Sequence, residues 1–169
     1  MKSRIIRSVV IFSILVMNIG CDQISKRIVR QQVYEYQEIS IIKNYVTLTK
    51  VENEGAFLSL GQRLPDAVRF TLLTLLPLIV LGFGVGFLFV KRNLPKPLLL
   101  GFAFVMGGGI GNIYDRLMYG SVTDFLHIDF GIFQTGIFNM ADVSIMMGVL
   151  IVLLDSIVSG RIFSKETAE

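Results

Sequence analysis

Tryptophan is absent from this chain of 169 residues, which carries one cysteine, Cys21, one histidine, His127, and four prolines. A single cysteine excludes an internal disulfide, and a single histidine leaves the usual zinc spacings without ligands. Charge is scarce too: Asp, Glu, Lys and Arg make up 17% of the residues, below the roughly one quarter of a soluble domain, while 53% are hydrophobic. The net charge of +3 is small, and the basic residues cluster at the ends of apolar runs, a pattern that suits lipid head groups and not nucleic acid. What remains is long uncharged sequence. The composition predicts one membrane domain with no metal, cofactor or nucleic-acid partner.

Four stretches are apolar enough to cross a bilayer, at about 5–21, 70–90, 98–114 and 137–158. Phe70 to Val90 contains no charge and gives roughly 32 Å of helix, a complete span. Ile5 to Cys21 gives roughly 25 Å, workable with Arg7 snorkelling. A rival reading takes Met1 to Cys21 as a lipoprotein signal ending at the cysteine. Gly82 and Gly86 are spaced for close helix packing, and Gly107, Gly108, Gly109 and Gly111 let a neighbour approach the third span. Lys91 to Pro97 is a basic turn between spans.

Four spans put both termini on one side, and Lys2, Arg4, Arg7, Lys91, Arg92, Lys96, Arg161 and Lys165 then mark that side as cytoplasmic. Asp155 falls near its end of the last span. The outer regions are 22–69 and 115–136. Within the first, Ile39 to Val51 is β-branched with partial alternation and reads as strands. The predicted fold is an all-α integral membrane protein with four transmembrane helices and a small β-strand layer on the outer face.

Asp115, Asp124, Asp129 and Asp142 crowd the outer ends of the last two spans. A carboxylate beside hydrocarbon is costly unless paired or wet, so these residues are functional candidates. Asn139 fits the N-cap of the last helix with Asp142 in its first turn, where the helix terminus favours negative charge. If Asp124 lies across from it, two nearby carboxylates cannot both ionise cheaply, and one keeps a proton while the other acts as base. That is the requirement of an aspartic protease. The same acids would equally suit a cation site or helix caps.

Arg116 shares a helix face with Asn112 and Gly108, its guanidinium able to hold a loop carbonyl or carboxylate. Asp22 and Lys26 are one helical turn apart, which suits an interfacial ion pair. Asn53 to Phe57 offers a turn of small residues that either simply reverses the chain or receives another backbone. His127 reads as a loop residue that packs or hydrogen-bonds, and Asp115 as non-catalytic.

Five motifs together resemble the bacterial lipoprotein signal peptidases, also called signal peptidase II, across essentially the whole chain. Asp22-Gln23 with Lys26, Asn53-x-Gly55-Ala56 and Gly107-Gly108-x-x-Gly111-Asn112-x-x-Asp115-Arg116 are similar to the family's first three motifs. Val122-x-Asp124-Phe125 and Phe138-Asn139-x-Ala141-Asp142 are similar to its two catalytic motifs. The resemblance implies an inner-membrane aspartic endopeptidase with Asp124 and Asp142 as the dyad, its active site on the outer side. The implied substrate is a prolipoprotein whose cysteine already carries diacylglycerol, cut just before that cysteine. By the same implication Asn112, Arg116 and Asn139 hold the dyad and substrate backbone, Asp22, Lys26, Asn53 and Gly55 line or support the pocket, and Ala56, Gly108 and Ala141 belong to the matching motifs. Membrane lipid and cyclic peptide inhibitors of the globomycin type are the other implied partners. Phe57 and Val143 depart from the family pattern and bear on pocket shape.

Two rival activities use the same acids. A transporter or channel would place a cation between Asp124 and Asp142. A metal-dependent hydrolase would add Asp129 to them.

Overall fold

The computed structural model describes residues 2–43, 45–56 and 60–160. Helices α1 (Lys2–Gln32), α2 (Asp66–Val90), α3 (Lys96–Tyr119) and α4 (Met140–Val158) are each long and apolar enough to cross a membrane. Large apolar side chains such as Phe12, Val16, Phe83, Leu150 and Leu154 stay exposed on their outer surfaces. A soluble protein could not carry so much exposed apolar surface; lipid covers it in a multi-pass membrane protein.

The helices alternate in direction. Arg7, near the start of α1, donates through Nη2 to Leu88 O at 2.7 Å and Lys91 O at 2.6 Å, satisfying carbonyls that the end of α2 leaves open. Ile11 and Leu15 of α1 form a core cluster there with Leu88 of α2 and Leu99 and Ala103 of α3. Near the same end, Gly101 of α3 lies against Gly148 and Val152 of α4 with no room for a side chain.

The boundaries differ from the sequence expectation in all four helices; the third, expected at 98–114, runs from Lys96 to Tyr119. The first helix runs on to Gln32 because Asp22, Lys26 and Arg30, four residues apart, turn inward and find partners in the bundle. The second begins at Asp66, after Pro65, and passes through a π-helical turn at Thr71–Leu75, where the Thr71 hydroxyl donates to Ala67 O at 2.7 Å. The fourth begins at Met140, capped by Asn139. Gly82 and Gly86 face open space, so the predicted close packing there does not occur; Gly84 between them meets Met106 of α3 instead.

A three-stranded antiparallel sheet, β1 (Ile39–Ile42), β2 (Val46–Asn53) and β3 (Val122–Ile128), lies in that order at the other end of the bundle. β3 falls where the sequence read as loop. Its register with β2 sets Val51 opposite Asp124 and Asn53 opposite Val122. Val29 of α1 and Val33 just past its end bury Phe125 of β3 in a second core cluster that fixes the sheet to the helices.

Candidate active site

Asp124 lies on β3 and is 5% exposed; Asp142 is the third residue of α4. Both line one cavity of about 100 Å³, with Asn53, Asn112, Arg116 and Phe138. The structure brings the two acids to one cavity.

Each carboxylate is held by amides. Asp124 accepts from Asn139 Nδ2 at 2.6 Å and from Asn53 Nδ2 at 2.9 Å. Asp142 accepts from Asn112 Nδ2 at 2.9 Å and from the Asn139 backbone N–H at 3.0 Å. The Asn139 side chain in turn accepts from Asp142 N at 3.0 Å, completing a capping box at the start of α4. The N-cap expected from sequence is therefore also the link between the two acids. Burial, opposed by the bonds from Asn53 and Asn139 but reinforced by the charge of Asp142, pushes the Asp124 carboxyl up to about 6.

The Asn53 to Ala56 turn closes one side. Asn53 Oδ1 accepts from Gly55 N at 2.9 Å, and its Nδ2 donates to Ala56 O at 3.2 Å as well as to Asp124. Arg116 pins this turn through Nη2 to Gly55 O at 2.5 Å and Nη1 to Glu54 O at 3.4 Å. Of the two options read from the sequence for Arg116, the structure takes the carbonyl.

Behind the cavity is a buried charge cluster. Lys26, with no exposed surface, reaches Asp22 Oδ2 at 2.8 Å, Asp115 Oδ2 at 3.0 Å and Asn112 Oδ1 at 2.9 Å. Because its ammonium occupies the Asn112 oxygen, the Asn112 amide nitrogen must point at Asp142. Asp22 uses its second oxygen to accept from Ala141 N at 2.9 Å, satisfying a donor in the first turn of α4. Gly111 and Gly108 allow this approach: a methyl group on Gly111 would strike Asp22, and one on Gly108 would strike Ala141 O. Asp22, Lys26, Gly108 and Ala141 thus support the site from behind without lining its cavity. The exposed interfacial pair read from Asp22 and Lys26 is replaced by a buried one.

Arg30, Thr123 and Glu52 escape the sequence reading, which names Asp115 and Gln23 without this role. Asp115 carries no catalytic geometry but bonds Lys26 and, at 2.9 Å, Arg30. Arg30 continues through Thr123 at 2.7 Å, whose hydroxyl donates to Glu52 at 2.9 Å, and Gln23 donates to Asp22, Gly111 O and Asp115. The four-residue spacing of Asp22, Lys26 and Arg30 was the available signal. His127 lies on β3, where it lines a groove of about 760 Å³ with Thr47, Thr49, Val51 and Thr135; the groove runs along the sheet to Asn53 and Asp124. Asp129 sits in a separate turn, accepting from Gly131 N at 2.7 Å. Among the described residues no three His, Cys, Asp or Glu side chains converge as metal ligands. Val143 does not line the cavity, and Phe57, Arg161 and Lys165 lie outside the described residues.

Comparison with known proteins gives a consistent picture. Residues 14–158 match the family model described as Signal peptidase (SPase) II. The chain is 34% identical over 154 residues to the lipoprotein signal peptidase of Streptococcus pneumoniae, covering 91% of this chain and 94% of that protein. It is 36% identical over 122 residues to that of Wigglesworthia glossinidia brevipalpis, covering 71% and 76%. A solved bacterial membrane enzyme, determined by the in meso method at 2.3 Å, shares the fold with a TM-score of 0.79 and 22% identity over 95% of this chain and 94% of that one.

Proposed function

This chain belongs to the signal peptidase II family, and from that membership we propose that it is an aspartic endopeptidase that removes the signal peptide from diacylglyceryl-modified prolipoproteins. Cleavage falls just before the lipidated cysteine, on the outer face of the bacterial inner membrane, with both chain termini cytoplasmic. The observation that carries the reading is the shared cavity of Asp124 and Asp142, each held by its own amides, with a burial-raised Asp124.

In this mechanism Asp124 holds the proton and Asp142, which accepts N–H bonds on both oxygens, is the base. Asp142 takes a proton from water as the oxygen attacks the scissile carbonyl carbon. Asp124 donates a hydrogen bond to the growing oxyanion. The C–N bond then breaks as a proton passes to the leaving amine, giving a carboxylate and a free cysteine amine. The cavity of about 100 Å³ has room for a water beside a carbonyl. The groove along the sheet suits an extended peptide: Thr47, Thr49, Val51 and Asn53 alternate along β2 and all line it. Acyl chains on the cysteine remain in lipid beside the bundle, which accounts for a dyad at the ends of apolar helices.

The test is incubation of purified protein in detergent with a lipidated prolipoprotein. The parent releases the signal peptide, whereas Asp124→Asn and Asp142→Asn abolish release while keeping the parent's helix content and a cooperative unfolding transition. Activity retained by either variant overturns the dyad. Ion flux in liposomes without any cleavage would favour the transporter reading, and loss of cleavage on chelation the metal reading.

A further inference from the structure

At the end of the bundle away from the sheet, Arg7, Arg92 and Lys96 rim a slot of about 410 Å³ whose walls include Val10, Leu94 and Leu100. Among the described residues no carboxylate lines it. The side chains of Arg92 and Lys96 are exposed and make no hydrogen bond or ion pair with the described residues. Arg7 spends Nη2 on the carbonyls that end α2, and its Nε is buried without a partner. Three cations facing one slot with no counter-charge repel one another, and an anion between them removes that cost.

The depth of the slot says which anion. Arg92 lies two residues past the end of α2 and Lys96 begins α3, so the charges sit where two spans leave the hydrocarbon, while the aliphatic walls reach back into it. A soluble anion gains nothing from those walls, but a ligand with an anionic head and a hydrocarbon tail matches both parts. We propose that the slot is a specific site for an anionic phospholipid, its phosphate held by Arg92 and Lys96 beside the Arg7 guanidinium, with one acyl chain between α1 and α3. The site is at the opposite end of the bundle from Asp124 and Asp142 and stands independently of their chemistry.

The test is native mass spectrometry of the full chain released from bilayers with equal amounts of phosphatidylglycerol and phosphatidylcholine of matched chains. The parent retains phosphatidylglycerol preferentially. Arg92→Gln and Lys96→Gln, both on exposed positions, each lower the retained ratio about fivefold, the effect of one cation near a lipid phosphate. Lys91→Gln removes the same charge from the same turn, but its side chain does not line the slot, and it leaves the ratio unchanged. Millimolar inorganic phosphate displaces nothing. Equal retention of the two lipids overturns the proposal. So does a Lys91→Gln loss matching that of Lys96→Gln, which indicates diffuse attraction, or displacement by phosphate, which indicates a soluble-anion site.

Discussion

The Asn139 side chain donates to Asp124 at 2.6 Å while its carbonyl oxygen accepts from Asp142 N at 3.0 Å, so the residue that starts α4 also sets the spacing of the two acids. Helix capping and alignment of the site are one arrangement. Asn139→Ala loses both, and we expect a stability loss of about 1 kcal/mol from the cap and a fall in kcat of roughly 10- to 100-fold from the missing amide donor. Asn139→Ser separates the two effects: its hydroxyl can cap the helix by accepting from Asp142 N but is too short to donate to Asp124. Its stability falls less than that of Asn139→Ala while kcat falls as far. Parental kcat in Asn139→Ser would show that the amide donor is dispensable.

Lys26 is enclosed with Asp22 and Asp115, all three without exposed surface. Lys26→Met strands two carboxylates, one of them still supported by Arg30, and should cost about 3–5 kcal/mol. Adding Asp22→Asn removes one stranded charge and restores much of that loss in chemical unfolding. Activity should not return with stability, because the Asn112 oxygen loses the ammonium that orients its amide toward Asp142. Recovery of both together would reduce Lys26 to a purely structural residue.

The raised Asp124 carboxyl gives a signed pH dependence. Its value is about 6 when folded, against the ordinary 3.8. Between about pH 4 and 6 the folded chain therefore keeps a proton that the unfolded chain has released, and stability falls as pH rises through that window and is flat above it. The shift corresponds to roughly 3 kcal/mol. Asp124→Asn lacks this loss, so its stability relative to the parent rises from pH 4 to 6 and then stays constant. In the parent, kcat/KM declines above about pH 6 as the shared proton leaves. A stability difference that does not change with pH would place the proton elsewhere.

The spans were legible because apolar runs long enough to cross lipid have few other uses, and Asn139 with Asp142 was legible because a capping box is written in adjacent residues. The continuation of α1 to Gln32 was not, since Asp22, Lys26 and Arg30 look like the end of a span until Asp115 and Asn112, over 80 residues away, are brought beside them. β3 was hidden for a related reason. Its partner is β2, about 70 residues earlier, and pairing at that distance leaves no local pattern. Asp124 nevertheless stands out in the sequence as a candidate, through its motif and its cost beside hydrocarbon, although its strand does not. His127 was misplaced because its role depends on a groove that only the assembled sheet creates.

The glycines of α3 separate positions where close approach is required from those where glycine is incidental. A methyl group on Gly108 would meet the Ala141 carbonyl oxygen, and one on Gly111 would meet the Asp22 carboxylate at 2.5 Å, both fixed by the cluster behind the dyad. Gly108→Ala must push α4 away from α3, and with it the Asp142 carboxylate. We expect a stability loss of about 1–3 kcal/mol from overpacking and a fall in kcat out of proportion to it. Gly111→Ala should act on the Asp22 to Ala141 bond and behave similarly. Gly82→Ala and Gly86→Ala on α2 meet nothing within 4 Å and should be neutral or stabilising by up to about 1 kcal/mol through helix propensity, with unchanged cleavage. Thermal unfolding in detergent and cleavage of a lipidated substrate, run on the four variants side by side, decide the matter. Parental activity in Gly108→Ala would mean that the α3 to α4 contact does not set the position of Asp142.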